Sequence, residues 1–417
     1  MPLRALVVDF NSYFASVEQV LASSLRGRPI GVVPVVTDST CCIAASSEAK
    51  RHGVKTGTGV AEARSLCPGI IFVESQPEEY IRLHHLLVAA VESCTHVEEV
   101  WSIDEMWCRL TGRQCERANA EALARNIKAA VANVATFARD DDRADPEAAK
   151  VLTCSVGIAP NGYLAKTATD MQKPDGLVFL EDSDLPHKLH RLQLRDFCGI
   201  GRNMEHRLLE SGIFTVAQLC AATEKKLREV WNGIEGTRMY RVLRGEEVQR
   251  PPTQKRVLGH SHVLPPELRT EEGAFSVCHR LIQKAAMRLR KGKWCAGGLQ
   301  LSVKYSDRRW SDDITFTPTQ DTLEFLHTLD ILWQRCRQRG ISPKAVGVTL
   351  FHLVQSQNST PVFPTMKRNH SALLAAMDAV NIGMGKNKVY FGGAHGALAY
   401  TPMRIAFNRI PDLETER

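Results

Sequence analysis

The chain has no Cys-x-x-Cys pair, no long apolar run and no internal repeat. Its twelve cysteines are scattered, and the one adjacent pair, Cys41-Cys42, is vicinal. The absence of a Cys-x-x-Cys spacing argues against zinc ribbons and thioredoxin-type redox chemistry. No apolar stretch approaches the length of a membrane span, so no membrane association is expected. Low-complexity tracts are missing too. No segment reads as a signal peptide, so the cysteines are expected to be reduced thiols in a cytoplasmic protein. Nor is there a large charge excess: 53 Lys and Arg stand against 46 Asp and Glu, a net charge of +7. A nucleic-acid footprint must therefore show in where cations cluster, not in the total.

What is present is a long soluble-type composition. At 417 residues the chain exceeds one ordinary core, and about two to four domains are expected. Near the start, Leu6-Val7-Val8 reads as a buried strand ending at Asp9. Tyr13, Phe14, Val17, Val20 and Leu21 follow at helical spacing, with Asn11 or Ser12 available as cap. An acid is thus set at a strand end beside a helix N-terminus, a natural neighbour for phosphate. Asp9 is either a helix cap or part of a site.

Further along, Pro29 to Val33 and Cys42 to Ala45 read as strands, Ser47 to Arg51 as a helix, and residues 78–95 and 118–138 as amphipathic helices. Residues 97–110 are strand-like on both sides of Ser102 to Glu105, which predicts a hairpin or a bent strand. The run Arg139 to Asp145 reads as a solvated acidic loop. Val151 to Ala159 predicts a buried strand, and Tyr163 to Met171 a helix. From about 186 to 250 the pattern changes to short helices with glycine turns, and Pro251-Pro252 marks a linker. Mixed strand and helix resume at 258, with a long helix over 271–291.

Four constellations carry chemistry. Asp9 and the Asp104-Glu105 pair, flanked by Ile103 and Met106-Trp107, form an acid set. Carboxylates in apolar surroundings need a cation or hydrogen bonds, and hard oxygen ligands suit magnesium-type ions. Adjacent strand residues face opposite ways, so Asp104 and Glu105 can share a site only if the backbone turns between them. A solvated hairpin turn is the alternative. Lys173 before Pro174 is a candidate triphosphate ligand or a helix-dipole partner, and Lys50-Arg51 is a second cationic pair. Cys198-Gly199-Ile200-Gly201-Arg202 exposes backbone N–H groups suited to gripping a nucleic-acid phosphate. Last, Arg280, Lys284, Arg288, Arg290, Lys291, Lys293, Lys304, Arg308 and Arg309 are opposed in that span only by Asp307, with Trp294, Tyr305 and Trp310 interleaved. This favours a nucleic-acid backbone footprint over a solvated basic helix.

Together these residues resemble the Y-family translesion DNA polymerases over most of the chain. The first family motif looks like Asp9-Phe10-Asn11-Ser12-Tyr13-Phe14-Ala15-Ser16-Val17-Glu18, the second like Ser102-Ile103-Asp104-Glu105. Val156 to Ala159 with Leu164-Ala165-Lys166 through Lys173-Pro174-Asp175-Gly176 is similar to the distal palm segment, and Gly199-Ile200-Gly201 resembles the thumb helix-hairpin-helix. Leu110-Thr111-Gly112, Thr317 to Asp321 and Val389-Tyr390-Phe391-Gly392-Gly393 look like the bacterial UmuC branch.

The resemblance implies an α/β (α+β) multidomain fold: a right-hand polymerase with palm (1–12 and 78–182), fingers (13–77), helix-hairpin-helix thumb (183–252) and DNA-binding little finger (258–360). Residues 361–417 have no assigned role. The implied activity is template-directed, error-prone synthesis across damaged bases in an SOS-type DNA repair response. Asp9, Asp104 and Glu105 are then catalytic ligands of two Mg2+ ions, with Mn2+ able to substitute, and the Phe10 carbonyl is a further ligand. Phe14 falls at the steric gate that excludes a ribose 2′-hydroxyl, while Tyr13, Lys50 and Lys173 fall at nucleotide contacts. Gly199, Gly201, Arg280, Lys284, Arg288, Lys291 and Lys304 are the expected DNA contacts. Implied partners are primer-template DNA, dNTP, a sliding clamp, a processed UmuD-like accessory subunit and a recombinase filament. A degenerate clamp motif falls at Gln357 to Phe363. The alternative is a catalytically weak recruitment subunit of a mutagenic polymerase complex, against which the three retained acids speak. A nucleotidyl cyclase, with a related palm, needs no duplex grip.

Overall fold

The computed structural model describes residues 2–38, 40–138, 143–249, 255–336, 341–358, 370–385, 388–400 and 410. The Pro251-Pro252 linker, the Arg139 to Asp142 stretch and most of the Gln357 to Phe363 motif lie outside them. The chain divides after Arg250 into two compact units.

The first unit runs β1 (Ala5–Phe10), α1 (Tyr13–Leu21), β2 (Ile30–Val33), β3 (Ala44–Ala45), α2 (Ser47–Arg51), α3 (Val60–Leu66), β4 (Ile71–Glu74), α4 (Pro77–Glu92), β5 (Val97–Val100), β6 (Glu105–Arg109), α5 (Arg117–Thr136), β7 (Cys154–Ala159), α6 (Gly162–Met171), β8 (Leu177–Phe179) and then four short helices. These are α7 (Arg202–Glu210), α8 (Val216–Ala221), α9 (Glu224–Trp231) and α10 (Ile234–Val242). Five strands form one sheet in the order β5-β6-β1-β7-β8, antiparallel except between β7 and β8. β1 is central and buried along its length. That is why its sequence is an unbroken apolar run rather than an alternation. Ala5 and Val7 pack with Leu164, Ala165 and Ala168 of α6 and with the core of the four-helix segment. By strand alternation Asp9 projects from that same face, at the strand end.

α6 lies almost on the backbone of β7. A β-carbon at Gly157 would stand 2.1 Å from the Ala165 carbonyl oxygen and 2.6 Å from the Thr169 nitrogen. Only glycine permits so close an approach. A smaller three-stranded sheet, β3-β2-β4, packs with α2 and α3 around Val33, Cys42, Ala49, Val54 and Val60. β3 is shorter than the predicted Cys42 to Ala45: the Cys42 amide turns aside to the Thr58 carbonyl at 2.8 Å. Asp145 ends as the partner of Arg26, at 2.6 Å.

The second unit contains β9 (Val257–Val263), α11 (Glu271–Lys291), β10 (Trp294–Lys304), β11 (Arg309–Thr319), α12 (Thr322–Cys336), β12 (Ala345–Gln355) and α13 (Ser371–Gly383). Its antiparallel sheet has the order β11-β10-β12-β9. α11 and α12 cover one face, with Leu281, Ile282, Leu289, Phe325, Leu329 and Leu332 packed on Leu299, Leu301 and Val303. The described residues 370–385 and 388–400 belong to this unit. Arg290 grips Asp378 of α13 through two hydrogen bonds, at 2.6 and 2.8 Å, and the Gln283 side chain holds the Phe391 backbone at 2.8 and 3.2 Å.

Candidate active site

The end of β1 is pinned from both sides. Glu105 stands directly opposite Asp9 in the β1–β6 ladder, and Ser155 opposite it on β7. The Phe10 amide donates to the Asp104 carbonyl at 2.8 Å. Asp104 itself precedes β6 and sits in the turn, which is closed by the Trp101 and Ser102 amides donating to the Glu105 carbonyl at 3.0 and 3.2 Å. Strand alternation therefore does not separate the two acids, because the backbone bends between them. Ser102 Oγ donates to Asp104 Oδ1 at 2.6 Å.

His84 supports the bend from behind. It is buried on α4, and its Nδ1 lies 2.7 Å from the Ile103 carbonyl, so the neutral ring donates there. Burial lowers its pKa from 6.5 to about 4, against the partial opposition of that carbonyl. Between those values the unfolded ring takes a proton that the folded one refuses. The stabilisation is therefore complete above pH 6.5 and is lost as pH falls toward 4. The expected loss is at most about 3 kcal/mol, read as a falling urea midpoint that His84→Gln flattens.

Asp9, Phe10, Tyr13, Phe14, Lys50, Asp104, Glu105 and Lys173 all line one cavity of about 150 Å³, with Ser12, Ile43, Ala44, Ala45 and Thr56. Burial pushes the Asp9 carboxyl up, but Lys166 and Lys173 outweigh it and hold the group below its ordinary value. Asp104 is raised, by burial first and by repulsion from Asp9. Glu105 is raised to about 7, again chiefly by burial, with Lys166 opposing. Phe14 stacks on Tyr80 with ring centroids 4.5 Å apart and planes at 15°. The Tyr80 hydroxyl is in turn held by the buried Glu18 carboxylate, which Gln76 also reaches at 2.8 Å. Tyr13 donates its hydroxyl to the Tyr80 carbonyl at 2.7 Å.

The expected cap of α1 is absent as a side-chain bond. Ser12 occupies the cap position in a left-handed conformation, φ 49°, and its Oγ accepts instead from Lys50 Nζ at 2.8 Å. Asn11 is committed elsewhere. Its amide nitrogen donates to Ser155 Oγ at 3.0 Å, and its Oδ1 accepts from Thr153 Oγ1 at 3.0 Å and from the Asp175 amide at 2.8 Å. Asn11 thereby ties the end of β1 to the loop that carries Lys173.

Residues 8–138 match the model of the impB/mucB/samB family, and residues 255–361 match that family's C-terminal domain. DNA polymerase IV of Moorella thermoacetica is 33% identical over 311 residues, covering 73% of this chain and 74% of the relative. DNA polymerase IV of Pelotomaculum thermopropionicum is 30% identical over 311 residues, with 73% of each chain covered. The chain belongs to the Y family of DNA polymerases. Among solved structures, a Y-family DNA polymerase chimera of Dbh and Dpo4 matches with a TM-score of 0.68 at 22% identity, over 84% of this chain and 99% of that one. An insertion ternary complex of Dbh DNA polymerase matches with 0.53 at 22%, over the same shares. These two show a shared fold. The curated relatives carry the name DNA polymerase IV, so the matches do not single out the UmuC branch.

In this polymerase the chemistry of the donor set fits a hard divalent cation: Asp9, Asp104, Glu105 and the Phe10 carbonyl are all oxygen donors. A cation already stands among them. The Lys166 ammonium lies 2.7 Å from Asp9 Oδ2 and 2.7 Å from Glu105 Oε1, with Asp170 at 3.2 Å. Lys173 also reaches Asp9 Oδ2, at 2.7 Å, and Asp170 at 2.8 Å. Lys166 and Asp170 were not singled out as site residues by sequence reasoning. The usable signal was their spacing: 166 and 170 stand one turn apart on the same face of α6.

The other expected DNA contacts are dispersed. Gly199, at φ +84°, and Gly201 stand in an exposed loop leading into α7, beside Arg202, Asn203 and Arg207. On the second unit, Lys304 is on the open face of the sheet, opposite to Val303, which packs in the core. Arg280, Lys284, Arg288 and Lys291 lie on α11, which covers the other face. Arg280 is half-buried with its guanidinium 3.5 Å from the Leu398 carbonyl, and Arg288 meets His260 Nε2 at 2.7 Å. The basic stretch is thus not gathered on a single surface.

Proposed function

We propose that this polymerase extends primers across damaged template bases, with Asp9, Asp104, Glu105 and the Phe10 carbonyl holding two Mg2+ ions for which Mn2+ can substitute. The observation that carries this reading is one cavity lined by the buried Asp9, the half-buried Asp104 and Glu105, an aromatic wall and two lysines. When bound, the ions supply the charge that activates the primer 3′-oxygen and stabilises the leaving pyrophosphate. The carboxylates hold that charge in a water-poor site, where it acts strongly. Lys50 and Lys173 orient the triphosphate, aided by the positive dipole end of α1 at the cavity edge. Phe14, braced flat against Tyr80, closes the sugar pocket. Residues 1–12 and 78–182 serve as palm, 13–77 as fingers, 183–252 as thumb and 258–360 as little finger, with primer-template DNA held by the loop at Gly199 and by basic side chains. The motifs at Thr317 to Asp321 and Val389 to Gly393 support a UmuC-like branch, a damage-induced role and the accessory, clamp and recombinase partners of that branch.

Primer extension on a template with one abasic site tests the reading. Products running past the lesion are expected. A stop at the lesion, on a template otherwise copied, would count against lesion bypass, and no extension on undamaged DNA would favour the recruitment subunit. Phe14→Ala should lower discrimination against ribonucleotides by about 10–200-fold, the scale of one steric element in an apolar pocket. The ratio of kcat/KM for dNTP and rNTP measures it, and an unchanged ratio would remove Phe14 from the gate.

A further inference from the structure

Lys166 does not line the nucleotide cavity, and it is only 14% exposed, yet its ammonium bridges the two acids that face each other across β1 and β6. Among the described residues no three carboxylate, histidine or cysteine side chains are gathered closely enough to cage an ion. The oxygens that a divalent ion would need, Asp9 Oδ2 and Glu105 Oε1, are taken by Lys166. The lysine also has a second partner on its own helix, one turn on: Asp170, 3.2 Å away and 38% exposed. Lys173 differs, because it lines the cavity, is 35% exposed and has Asp9 but not Glu105 as an ion-pair partner.

From this geometry we propose that Lys166 is a displaceable counter-cation of the metal site. With no divalent ion bound, its ammonium neutralises the buried Asp9 and the half-buried Glu105 and keeps the two acids together. When an ion enters, the ammonium withdraws to Asp170, so metal binding and the Lys166 contact exclude one another. The physical reason is charge: a monovalent and a divalent cation within a few ångströms repel strongly in a site partly screened from water, while acids left with neither would face their full burial cost. Metal affinity is then set partly by α6, and Asp170 lowers the barrier to loading by giving the lysine a place to go. The inference rests on the reading of Asp9 and Glu105 as metal ligands.

Isothermal titration of Mn2+ into the full nucleotide-free chain, with melting in EDTA and in Mn2+, tests it. Lys166→Met is expected to bind Mn2+ at least tenfold more tightly than wild type, to melt lower in EDTA and to gain more from Mn2+. Lys166→Arg should keep the wild-type melting point in EDTA, and Asp170→Asn should bind Mn2+ more weakly than wild type. If wild type binds Mn2+ and Lys166→Met binds it equally or less tightly, the displaceable cation is refuted while the metal site stands. If neither binds Mn2+, both the metal-site reading and this one fall. Asp104→Ala, expected to weaken binding in either background, identifies the site being titrated.

Discussion

Asp104→Ala is expected to lower primer extension by about 10²–10³-fold or more, the range for removing one electrostatic element of an active site. The folded state should be at least as stable as wild type at neutral pH. These two outcomes separate a catalytic acid from a structural one. Asp104 is half-buried, its pKa is raised by desolvation and by Asp9, and Ser102 is its hydrogen-bond donor. A carboxyl whose folded pKa lies above its unfolded value destabilises the fold once pH passes the unfolded pKa. Removing it relieves repulsion rather than breaking an ion pair. Single-nucleotide incorporation on matched DNA, beside a melting curve in EDTA, reads both quantities. Retained incorporation would exclude Asp104 from the metal set. A large fall in melting point would make it a structural residue instead.

Gly157→Val is the mutation expected to cost most in stability. The β-carbon alone would overlap the Ala165 carbonyl oxygen at 2.1 Å and crowd the Thr169 amide at 2.6 Å and Ala168 Cβ at 2.9 Å. Two of these neighbours are backbone, so no side-chain rotation relieves the clash. α6 must lift from the sheet, opening the packing of its Leu164, Ala165 and Ala168 against Ala5 and Val7. Overpacking of this kind typically costs about 1–3 kcal/mol, and the valine methyl groups place it at or above the upper end. At about 2–4 °C per kcal/mol for a unit of this size, the melting point should fall by several degrees. Activity should fall even where the variant remains folded, because α6 carries Lys166 and leads into the loop of Lys173. A variant with an unchanged melting point would mean that α6 can shift at no cost, against the contact geometry.

Much of the site was legible one residue at a time. Asp9 stood at the end of an unbroken apolar run, and only a strand buried on both faces carries such a run. Asp104 and Glu105 stood between two strand-like stretches, and their apolar flanks argued for burial. Phe14 lay on a helical stripe directly after Asp9. These readings need only local periodicity and the cost of burying charge. The cavity then brought Phe10, Tyr13, Lys50 and Lys173 to the same place.

Other features depended on pairings that no local pattern encodes. The bend that lets Asp104 and Glu105 share a cavity is made by amides of residues 101 and 102 closing onto residue 105, so the alternation rule stops where the strand begins. Asn11 looked like a helix cap, but strands and loops more than 140 positions away claimed its amide. The basic residues of 280–310 looked like one footprint because sequence orders them in one dimension. A helix and the strand after it pack with opposite exposures, which parted Lys304 from the lysines and arginines of α11. By itself, then, the sequence determined which residues are chemically able to act at Leu6 to Glu18 and at Asp104-Glu105, because burial cost and periodicity are local. Only the tertiary structure decided what stands between those acids. Lys166 reaches Asp9 across 157 positions of chain, and such a contact exists only once β1, β6 and α6 are packed together.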